Sequence, residues 1–235
     1  MRRQKTFRGK SISILGDSIS TLEGYLPVGY KAFYTAESSP QTGIHAMEDT
    51  WWGQVIKELG ATLLVNNSWS GSCVTKKADS ELSFPSGCSP ERTSDLHMSG
   101  LGPDVIIVFL GFNDWANGRP LYAPVLRHVD KTCWFFNSYS EMLRLLRKNY
   151  TKAKVYCCTL CKTAMKENER FVFPSSFRGT HIKEYNKAIH RAALLRRCSL
   201  IDLYAYNQPY DSLDGSHPSY DGMKTLADLF LKSIL

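Results

Sequence analysis

The sequence lacks any hydrophobic run long enough to cross a membrane, since no stretch approaches the roughly 18 apolar residues that a spanning helix requires. It also contains no internal repeat, low-complexity tract or linker, so we expect one domain. The apolar run that follows the basic N-terminus, Ile12–Leu15, is too short for a secretory signal. These absences predict a cytoplasmic protein without a membrane span.

Signatures of bound metals and cofactors are absent as well. The count of seven cysteines is odd and does not fit a disulfide framework, and the lone pair Cys158 and Cys161 has no second pair or nearby histidines to complete a zinc site. The segment Arg8-Gly9-Lys10-Ser11 is not a phosphate loop, because that motif requires glycine where Gln4 stands. No dinucleotide fingerprint occurs. We therefore expect no metal and no cofactor.

The net charge of +7 is unevenly distributed over the 235 residues. Residues 1–10 carry five basic and no acidic side chains, residues 11–120 carry 6 basic and 12 acidic, and residues 121–235 carry 18 basic and 10 acidic. Such a basic half leaves open a binding module for an acidic polymer such as RNA. No nucleic-acid motif is present, however, and most of these basic residues fall on the outer faces of predicted helices, so we expect no nucleic-acid partner.

Strand-like and helix-like segments alternate along the chain. The predicted strands are Ser11–Gly16, Thr62–Val65, Asp104–Leu110, Lys154–Leu160 and Ser199–Leu203. The predicted helices are Asp49–Gly60, Pro90–Met98, Ser138–Asn149, Thr180–Arg197 and Ser219–Ile234. This alternation predicts an α/β fold with a parallel sheet and helices on both faces. We assign residues 1–10 as a basic N-terminal tail and residues 11–235 as a single domain.

Four polar, glycine-bearing loops follow predicted strands or precede the last helix, and in a parallel sheet such loops meet at one edge. They are Gly16-Asp17-Ser18, Asn67–Ser72, Gly111–Asp114 and Asp214–His217. Serine hydrolysis needs a nucleophile, a base, a carboxylate that orients the base, and donors for an oxyanion. Ser18, His217 and Asp214 can supply the first three, while the backbone of Gly71 and the amide of Asn113 can supply donors. Taken singly, each of these residues is better explained by a structural role: Ser18 and Asn113 as capping residues, Gly71 and Asp214 as turn residues, and His217 as a surface histidine.

These four blocks, in this order, resemble the sequence blocks of the SGNH (GDSL-type) hydrolases. The resemblance implies a three-layer α/β/α, flavodoxin-like fold with a five-stranded parallel sheet, and ester hydrolysis. It also implies that Ser18 is the nucleophile, His217 the base and Asp214 its orienting carboxylate. The Ser18 N–H, the Gly71 N–H and the Asn113 side chain would form the oxyanion hole. The chain lacks Gly-x-Ser-x-Gly, because position 20 is serine, so the nucleophile elbow of α/β-hydrolases is not the template.

The identity of the substrate follows less directly from the sequence. Aromatic residues crowd the predicted site, with Trp69 and Trp115 beside its loops as candidate substrate contacts, and Tyr25, Tyr30, Phe33 and Tyr34 after Ser18. The long connections 21–48, 115–137 and 161–179 are expected to wall a pocket. We therefore expect a small-molecule or carbohydrate ester with a short acyl group, such as acetyl. A thioesterase or lysophospholipase activity is the alternative within the same chemistry.

Overall fold

The computed structural model describes residues 6–76, 85–124 and 130–235. Its strands are β1 (Ser11–Gly16), β2 (Thr62–Ser68), β3 (Val105–Phe109), β4 (Lys154–Cys158), β5 (Thr163–Ala164), β6 (Ser199–Ile201) and β7 (Tyr210–Asp211). Five of these strands pair in parallel in the order β2-β1-β3-β4-β6, while β5 and β7 form a separate parallel pair. The sheet order reverses at β1, between β2 and β3, which is where open α/β sheets place their sites.

Helices cover both faces of the sheet. They are α1 (Ser39–Thr42), α2 (Trp51–Leu59), α3 (Pro90–Ser94), α4 (Phe112–Ala116), α5 (Phe135–Asn149), α6 (Ile182–Leu195) and α7 (Tyr220–Ile234). Short 3₁₀ turns occur at Ser18–Ser20, Met47–Asp49, Lys131–Cys133 and Tyr204–Tyr206. Helices α2 and α7 pack together in one outer layer, and α5 packs with α3 and α6 in the other. This arrangement confirms the predicted three-layer α/β/α fold with a five-stranded parallel sheet.

The core explains why these segments adopt these structures. Strand β3 is apolar and buried at every position, as expected for a central strand covered on both faces. Helix α2 begins where the Thr50 hydroxyl accepts a hydrogen bond from Gly53 N–H, and it ends at Gly60, whose φ of 62° is left-handed. The rings of Trp51 and Phe230 stack with their centroids 4.2 Å apart and join α2 to α7.

Several predicted boundaries differ from the observed ones by a few residues, and two of these differences have a clear physical reason. Strand β2 continues through Ser68, three residues beyond its predicted end, because its polar residues find partners inside the protein: Asn66 donates to the Ser20 carbonyl and Ser68 donates to Asn66. Helix α3 ends at Ser94 instead of Met98. There the Tyr150 hydroxyl donates to the Ser94 carbonyl and accepts from the Leu96 N–H, which diverts the chain from the helix.

The segment assigned as a basic N-terminal tail contacts the rest of the domain from residue 7 onward. Phe7 is buried, and Gly9 N–H donates to the Gly60 carbonyl at 2.8 Å. Lys10 forms an ion pair of 2.9 Å with Asp104. Residues 6–10 therefore contact the body of the protein, whereas residues 1–5 lie outside the described residues. Within the ranges that the structure describes, no helix has the length and apolarity to span a bilayer.

Candidate active site

Ser18 lies directly beyond the end of β1, at the start of a short 3₁₀ turn. The Asp17 side chain caps this turn by accepting a hydrogen bond of 3.1 Å from Ile19 N–H. Gly16 is required by close packing, because a Cβ atom at this position would lie 2.6 Å from Ser68 Oγ and 2.8 Å from Ser20 Cβ. The glycine therefore lets β1 bring Ser18 against the ends of the neighbouring strands.

Ser18, His217 and Asp214 form a continuous chain of hydrogen bonds although 199 positions separate the first two. His217 Nε2 lies 2.9 Å from Ser18 Oγ, and His217 Nδ1 lies 2.6 Å from Asp214 Oδ2. Asp214 Oδ1 accepts from the backbone N–H of His217 at 2.8 Å and from Ser216 N–H at 2.9 Å. The carboxylate thus fixes the imidazole so that its other nitrogen faces the serine hydroxyl.

The ionisation state of Asp214 suits this geometry. Partial burial raises its pKa, but the hydrogen bonds from the His217 ring and backbone, together with the Ser216 hydroxyl, outweigh burial and hold the pKa below its usual range. The side chain is therefore a carboxylate at neutral pH. An anion at this position favours the tautomer with hydrogen on Nδ1, and it stabilises the imidazolium that forms when His217 takes a proton.

Aromatic residues hold the His217 loop in place. Tyr34 donates its hydroxyl to the Pro218 carbonyl at 2.8 Å, and Tyr210 donates to the Ser216 carbonyl at 2.7 Å. The Phe33 ring stacks on the imidazole with a centroid distance of 3.5 Å and an interplanar angle of 5°. These contacts restrict the rotation of the imidazole, so its distance to Ser18 is set by packing as well as by Asp214.

Two of the predicted oxyanion donors, Gly71 and Asn113, lie on loops that are joined by a hydrogen bond. Gly71 has a φ of 81°, a left-handed conformation that favours glycine. The next residue, Ser72, accepts a hydrogen bond of 3.0 Å at its carbonyl from Asn113 Nδ2, and Asn113 follows Gly111 on α4. Because an amide NH₂ group has two hydrogens, this bond leaves the second one for a ligand.

Asp114 anchors the Gly71 loop from beneath. Its buried carboxylate accepts hydrogen bonds from Val74 N–H at 2.8 Å and Thr75 N–H at 3.0 Å. Burial raises its pKa, against the effect of these two bonds. The carboxylate thus joins α4 to the chain that follows Gly71, so the two loops are held together by Asn113 on one side and by Asp114 on the other.

A cavity of about 200 Å³ opens beside the Ser18 and His217 side chains. Asn113 and Asp214 also line it. Its remaining walls are largely apolar and are formed by Ile19, Phe112, Ala116, Phe171 and Phe177, together with Asp17, Gly215 and Ser216. Phe171 packs against Gly215, where a Cβ atom would lie 3.0 Å from its ring. The connection 161–179 therefore supplies part of the wall, as predicted, while residues 125–129 of the connection 115–137 lie outside the described residues.

The two tryptophans predicted as substrate contacts occupy different positions. Trp115 is only 1% exposed, donates to the Thr180 carbonyl and packs against Phe173 and Phe177. It lies behind the wall of the cavity, so a direct contact with substrate does not fit its position. Trp69 is half-buried and packs on Tyr30 with ring centroids 4.1 Å apart, close to Gly71 in the chain.

Most of the chain matches one known protein family. The model of the GDSL-like lipase/acylhydrolase family matches residues 10–178. The chain belongs to this family. As a GDSL-family protein it is an ester-hydrolysing enzyme, which confirms the activity predicted from the four sequence blocks. The matched range ends before Asp214 and His217, so the placement of these two residues beside Ser18 rests on the geometry described above.

Solved structures of GDSL-like proteins share the fold over nearly the whole chain. A candidate GDSL-like lipase from Bacteroides ovatus is 27% identical, with a TM-score of 0.73 over 95% of this chain and 97% of the other. A second one from Bacteroides uniformis is also 27% identical, with a TM-score of 0.71 over 96% and 95%. A carbohydrate acetylesterase from Sinorhizobium meliloti is 19% identical, with a TM-score of 0.61 over 95% and 97%. No curated protein sequence matches the chain.

The roles of several residues at the GDSL site are not apparent from the sequence. These residues are Phe33, Tyr34, Arg92, Asp114, Phe171, Phe177 and Tyr210, which hold the catalytic loops or line the cavity. Phe33 and Tyr34 belong to the aromatic segment after Ser18, and this clustering of aromatic residues was the sequence feature that placed them near the site. Arg92 gave no signal, since a single charged residue is ordinarily solvent-exposed, and Asp114 stands in the Gly111–Asp114 block but was assigned no role.

Asp17 makes the stability of this GDSL domain depend on pH. Burial raises its pKa to about 7, and the nearby Asp114 adds to this, while the bond from Ile19 N–H and the charge of Arg92 oppose it. The unfolded chain releases this proton near pH 4. Between about pH 4 and 7 the folded state therefore binds more protons than the unfolded state, so the free energy of unfolding attributable to Asp17 falls as pH rises.

Replacement of Asp17 by Asn should remove this loss of stability, because the amide stays neutral and its oxygen can still accept from Ile19 N–H. We expect the melting temperature of Asp17→Asn, relative to the unmodified protein, to increase between pH 5 and pH 8. Thermal unfolding at pH 5, 6.5 and 8 measures this difference. The comparison at pH 5 is the internal reference, since both side chains are then neutral in the folded state. A difference that stays constant across this range contradicts the assignment.

Proposed function

We propose that this protein is a serine esterase that acts through an acyl-enzyme intermediate. Ser18 is the nucleophile, His217 the general base and acid, and Asp214 the carboxylate that orients His217. The observation that carries the proposal is the relay of hydrogen bonds from Ser18 Oγ through both nitrogens of His217 to Asp214, at 2.9 Å and 2.6 Å. Such a relay beside a cavity meets the geometric requirement for an activated hydroxyl nucleophile.

In the first half of the reaction, Ser18 Oγ attacks the carbonyl carbon of the ester while its proton passes to His217 Nε2. The carbonyl oxygen becomes an oxyanion that accepts hydrogen bonds from the Ser18 N–H, the Gly71 N–H and the Asn113 amide. Such preorganised donors typically contribute about 10²–10³-fold each to turnover. The tetrahedral intermediate then collapses. The carbon–oxygen bond to the alcohol breaks, and the imidazolium gives its proton to the leaving oxygen.

In the second half, a water molecule replaces the alcohol. His217 takes a proton from this water as the water oxygen attacks the acyl carbon bound to Ser18. The oxyanion forms again at the same donors, and the bond to Ser18 Oγ breaks as the proton returns to the serine. The carboxylic acid leaves, and the enzyme is restored to its starting state. Every proton in this cycle moves through His217, so no metal is required.

The cavity favours a short acyl group. Its volume of about 200 Å³ must accommodate the acyl group together with atoms of the leaving alcohol, and aromatic rings close it at Phe112, Phe171 and Phe177. An acetyl ester of a carbohydrate or of a similar small molecule meets this limit. The carbohydrate acetylesterase from Sinorhizobium meliloti has the same fold, so the fold can carry that chemistry.

A series of p-nitrophenyl esters tests the acyl group, and acetylated sugars test the alcohol. We expect kcat/KM to be highest for acetate or propionate and to fall by at least about tenfold beyond butyrate, since each excess methylene must displace wall atoms. Release of acetate from an acetylated xylooligosaccharide would support the carbohydrate assignment. An optimum beyond about eight carbons, or a preference for acyl-CoA, would instead indicate a lysophospholipase or a thioesterase.

Phe177 is the wall residue whose removal should widen this selectivity. It lines the cavity and packs with its ring edge against Trp115, with centroids 4.8 Å apart. In Phe177→Ala we expect the ratio of kcat/KM on butyrate to that on acetate to rise severalfold. Phe136→Ala is the matched control, because Phe136 packs on Tyr122, is not part of the cavity wall, and should leave the ratio unchanged. An unchanged ratio in Phe177→Ala would place the acyl group elsewhere.

A further inference from the structure

Arg92 is a fully buried cation beneath the carboxyl ends of β1 and β2. Its side chain has 0% exposure and projects from α3. Among the described residues, its hydrogen-bond acceptors are two carbonyl oxygens, one amide oxygen and one hydroxyl, with no carboxylate among them. Burying a guanidinium without a directly paired anion costs free energy that these four bonds must offset.

All four bonds of Arg92 end on the segments that form the catalytic edge. Nε donates to Asn67 Oδ1 at 2.6 Å, and Nη2 donates to the Asn67 carbonyl at 2.8 Å. Nη2 also donates to the Gly16 carbonyl at 3.0 Å, and Nη1 donates to Ser72 Oγ at 2.7 Å. One planar group therefore joins the end of β1, the end of β2 and the loop that follows β2.

Each of these acceptors is close to a proposed oxyanion donor. Gly16 lies two residues before Ser18, and its carbonyl also accepts from Trp69 N–H at the start of the Gly71 loop. Ser72 follows Gly71 directly, and its carbonyl receives the Asn113 amide. A displacement of the guanidinium would therefore shift the three donors relative to one another, although Arg92 makes no hydrogen bond to the side chain of Ser18 or His217.

The chemistry of this position suits arginine and no other cation. Burial lowers the pKa of Arg92 to about 10, against the effects of Tyr30, Asp17 and Asp95, so the side chain remains charged at neutral pH. Its donors have fixed directions in one plane, whereas a lysine ammonium is a compact point charge on a flexible stem. Lysine can retain the charge here but cannot reach all three segments.

We propose that Arg92 is a positioning residue that sets the geometry of the oxyanion hole by holding the ends of β1 and β2 and the Gly71 loop in one arrangement. This role rests on the proposed esterase function. Arg92 does not touch the substrate. It acts on the transition state through Ser18, Gly71 and Asn113, so its loss should lower kcat and leave KM nearly unchanged.

The first test is the variant Arg92→Lys, assayed on p-nitrophenyl acetate at a temperature well below its melting point. We expect kcat to fall by about 10²-fold, the effect of losing one oxyanion donor, with KM within about threefold of the unmodified value. Thr93→Ala is the matched control, since Thr93 is equally buried on α3 and its hydroxyl, which the substitution removes, donates to the Ser89 and Pro90 carbonyls of its own turn. We expect it to keep kcat within about twofold.

A double-mutant cycle with Asn113→Ala separates positioning from general destabilisation. If Arg92 acts through the oxyanion hole, both changes remove the same stabilisation of the transition state. The kcat of the double variant should then fall far less than the product of the two single decreases. The positioning role would be overturned if the kcat of the double variant fell by the full product of the two single decreases. It would also be overturned if Arg92→Lys lowered the melting temperature and left kcat unchanged.

Ser72→Ala keeps the proposal falsifiable if Arg92→Lys does not fold. This variant removes the acceptor of Nη1, and we expect kcat to fall by about tenfold. Combined with Asn113→Ala, it should again lower kcat by less than the product of the two single losses. An unchanged kcat would overturn the role. The activity of the unmodified protein distinguishes a failure of the proposed esterase function from a failure of the role of Arg92. No turnover by it overturns the proposed function and this inference with it, whereas an active protein with unaffected variants overturns the role of Arg92 alone.

Discussion

Replacement of Ser18 by Ala should lower kcat on p-nitrophenyl acetate by at least about 10⁴-fold, because the substitution removes the nucleophilic oxygen that His217 Nε2 deprotonates in the first step of the proposed mechanism. The oxyanion donors and the cavity remain, so a residual rate above that of the uncatalysed reaction is expected. The fold should persist. The hydroxyl is a small group at a strand end, and the melting temperature should change by only a few degrees.

The control for Ser18→Ala is Ser13→Ala. Ser13 is a buried serine on β1, the strand that leads to Ser18, and its hydroxyl donates to the Leu96 carbonyl at 2.8 Å. We expect this variant to keep kcat within about twofold of the unmodified protein, whatever its cost in stability. If Ser18→Ala retains more than about a tenth of the activity while folded, the nucleophile is a different residue.

Replacement of Asp214 by Asn should lower kcat by about 10⁴-fold with little change in KM. The carboxylate accepts the Nδ1 hydrogen of His217 at 2.6 Å and so leaves Nε2 free to take the Ser18 proton. The new amide can donate to Nδ1 instead, which favours the tautomer with hydrogen on Nε2. That tautomer cannot accept a proton from the serine. It also leaves the imidazolium without its neighbouring negative charge.

Asp221→Asn provides the matched comparison for Asp214→Asn. Asp221 lies seven residues further along the chain and forms an exposed ion pair with Lys166 at 2.6 Å, with no bond to His217. Exposed pairs contribute little to stability, so kcat and the melting temperature should stay close to those of the unmodified protein. Equal activity losses in the two variants would mean that Asp214 does not orient His217.

The strands and the chemical residues could be predicted because their signals are local. The apolar run of β3 and the alternation of β1 need no tertiary information, and capping residues such as Thr50 and Gly60 mark the ends of α2. The glycine-bearing loops after the strands then follow from the topology of a parallel sheet. Strand β2 was predicted too short, because its last three residues are polar, and Asn66 and Asn67 find their partners in distant segments, at Ser20 and Arg92.

The residues that support the site could not be predicted, because their partners are far away in the sequence. Arg92 bonds to Gly16 across 76 positions, and Tyr34 bonds to Pro218 across 184. Trp115 was expected at the substrate, but the turn of α4 directs its ring into the core against Phe173. A charged or aromatic residue in a polar segment gives no indication of which distant loop it will meet.

Labelling with a fluorophosphonate tests the central claim most directly, because the reagent phosphonylates only a serine whose hydroxyl is activated by a neighbouring base. The folded protein should gain the mass of one adduct, and peptide mapping should place it on Ser18. Labelling should disappear in Ser18→Ala and persist in Ser13→Ala. An absence of labelling in the folded protein, or an adduct on any other serine, would contradict the assignment of Ser18, His217 and Asp214 as the catalytic residues.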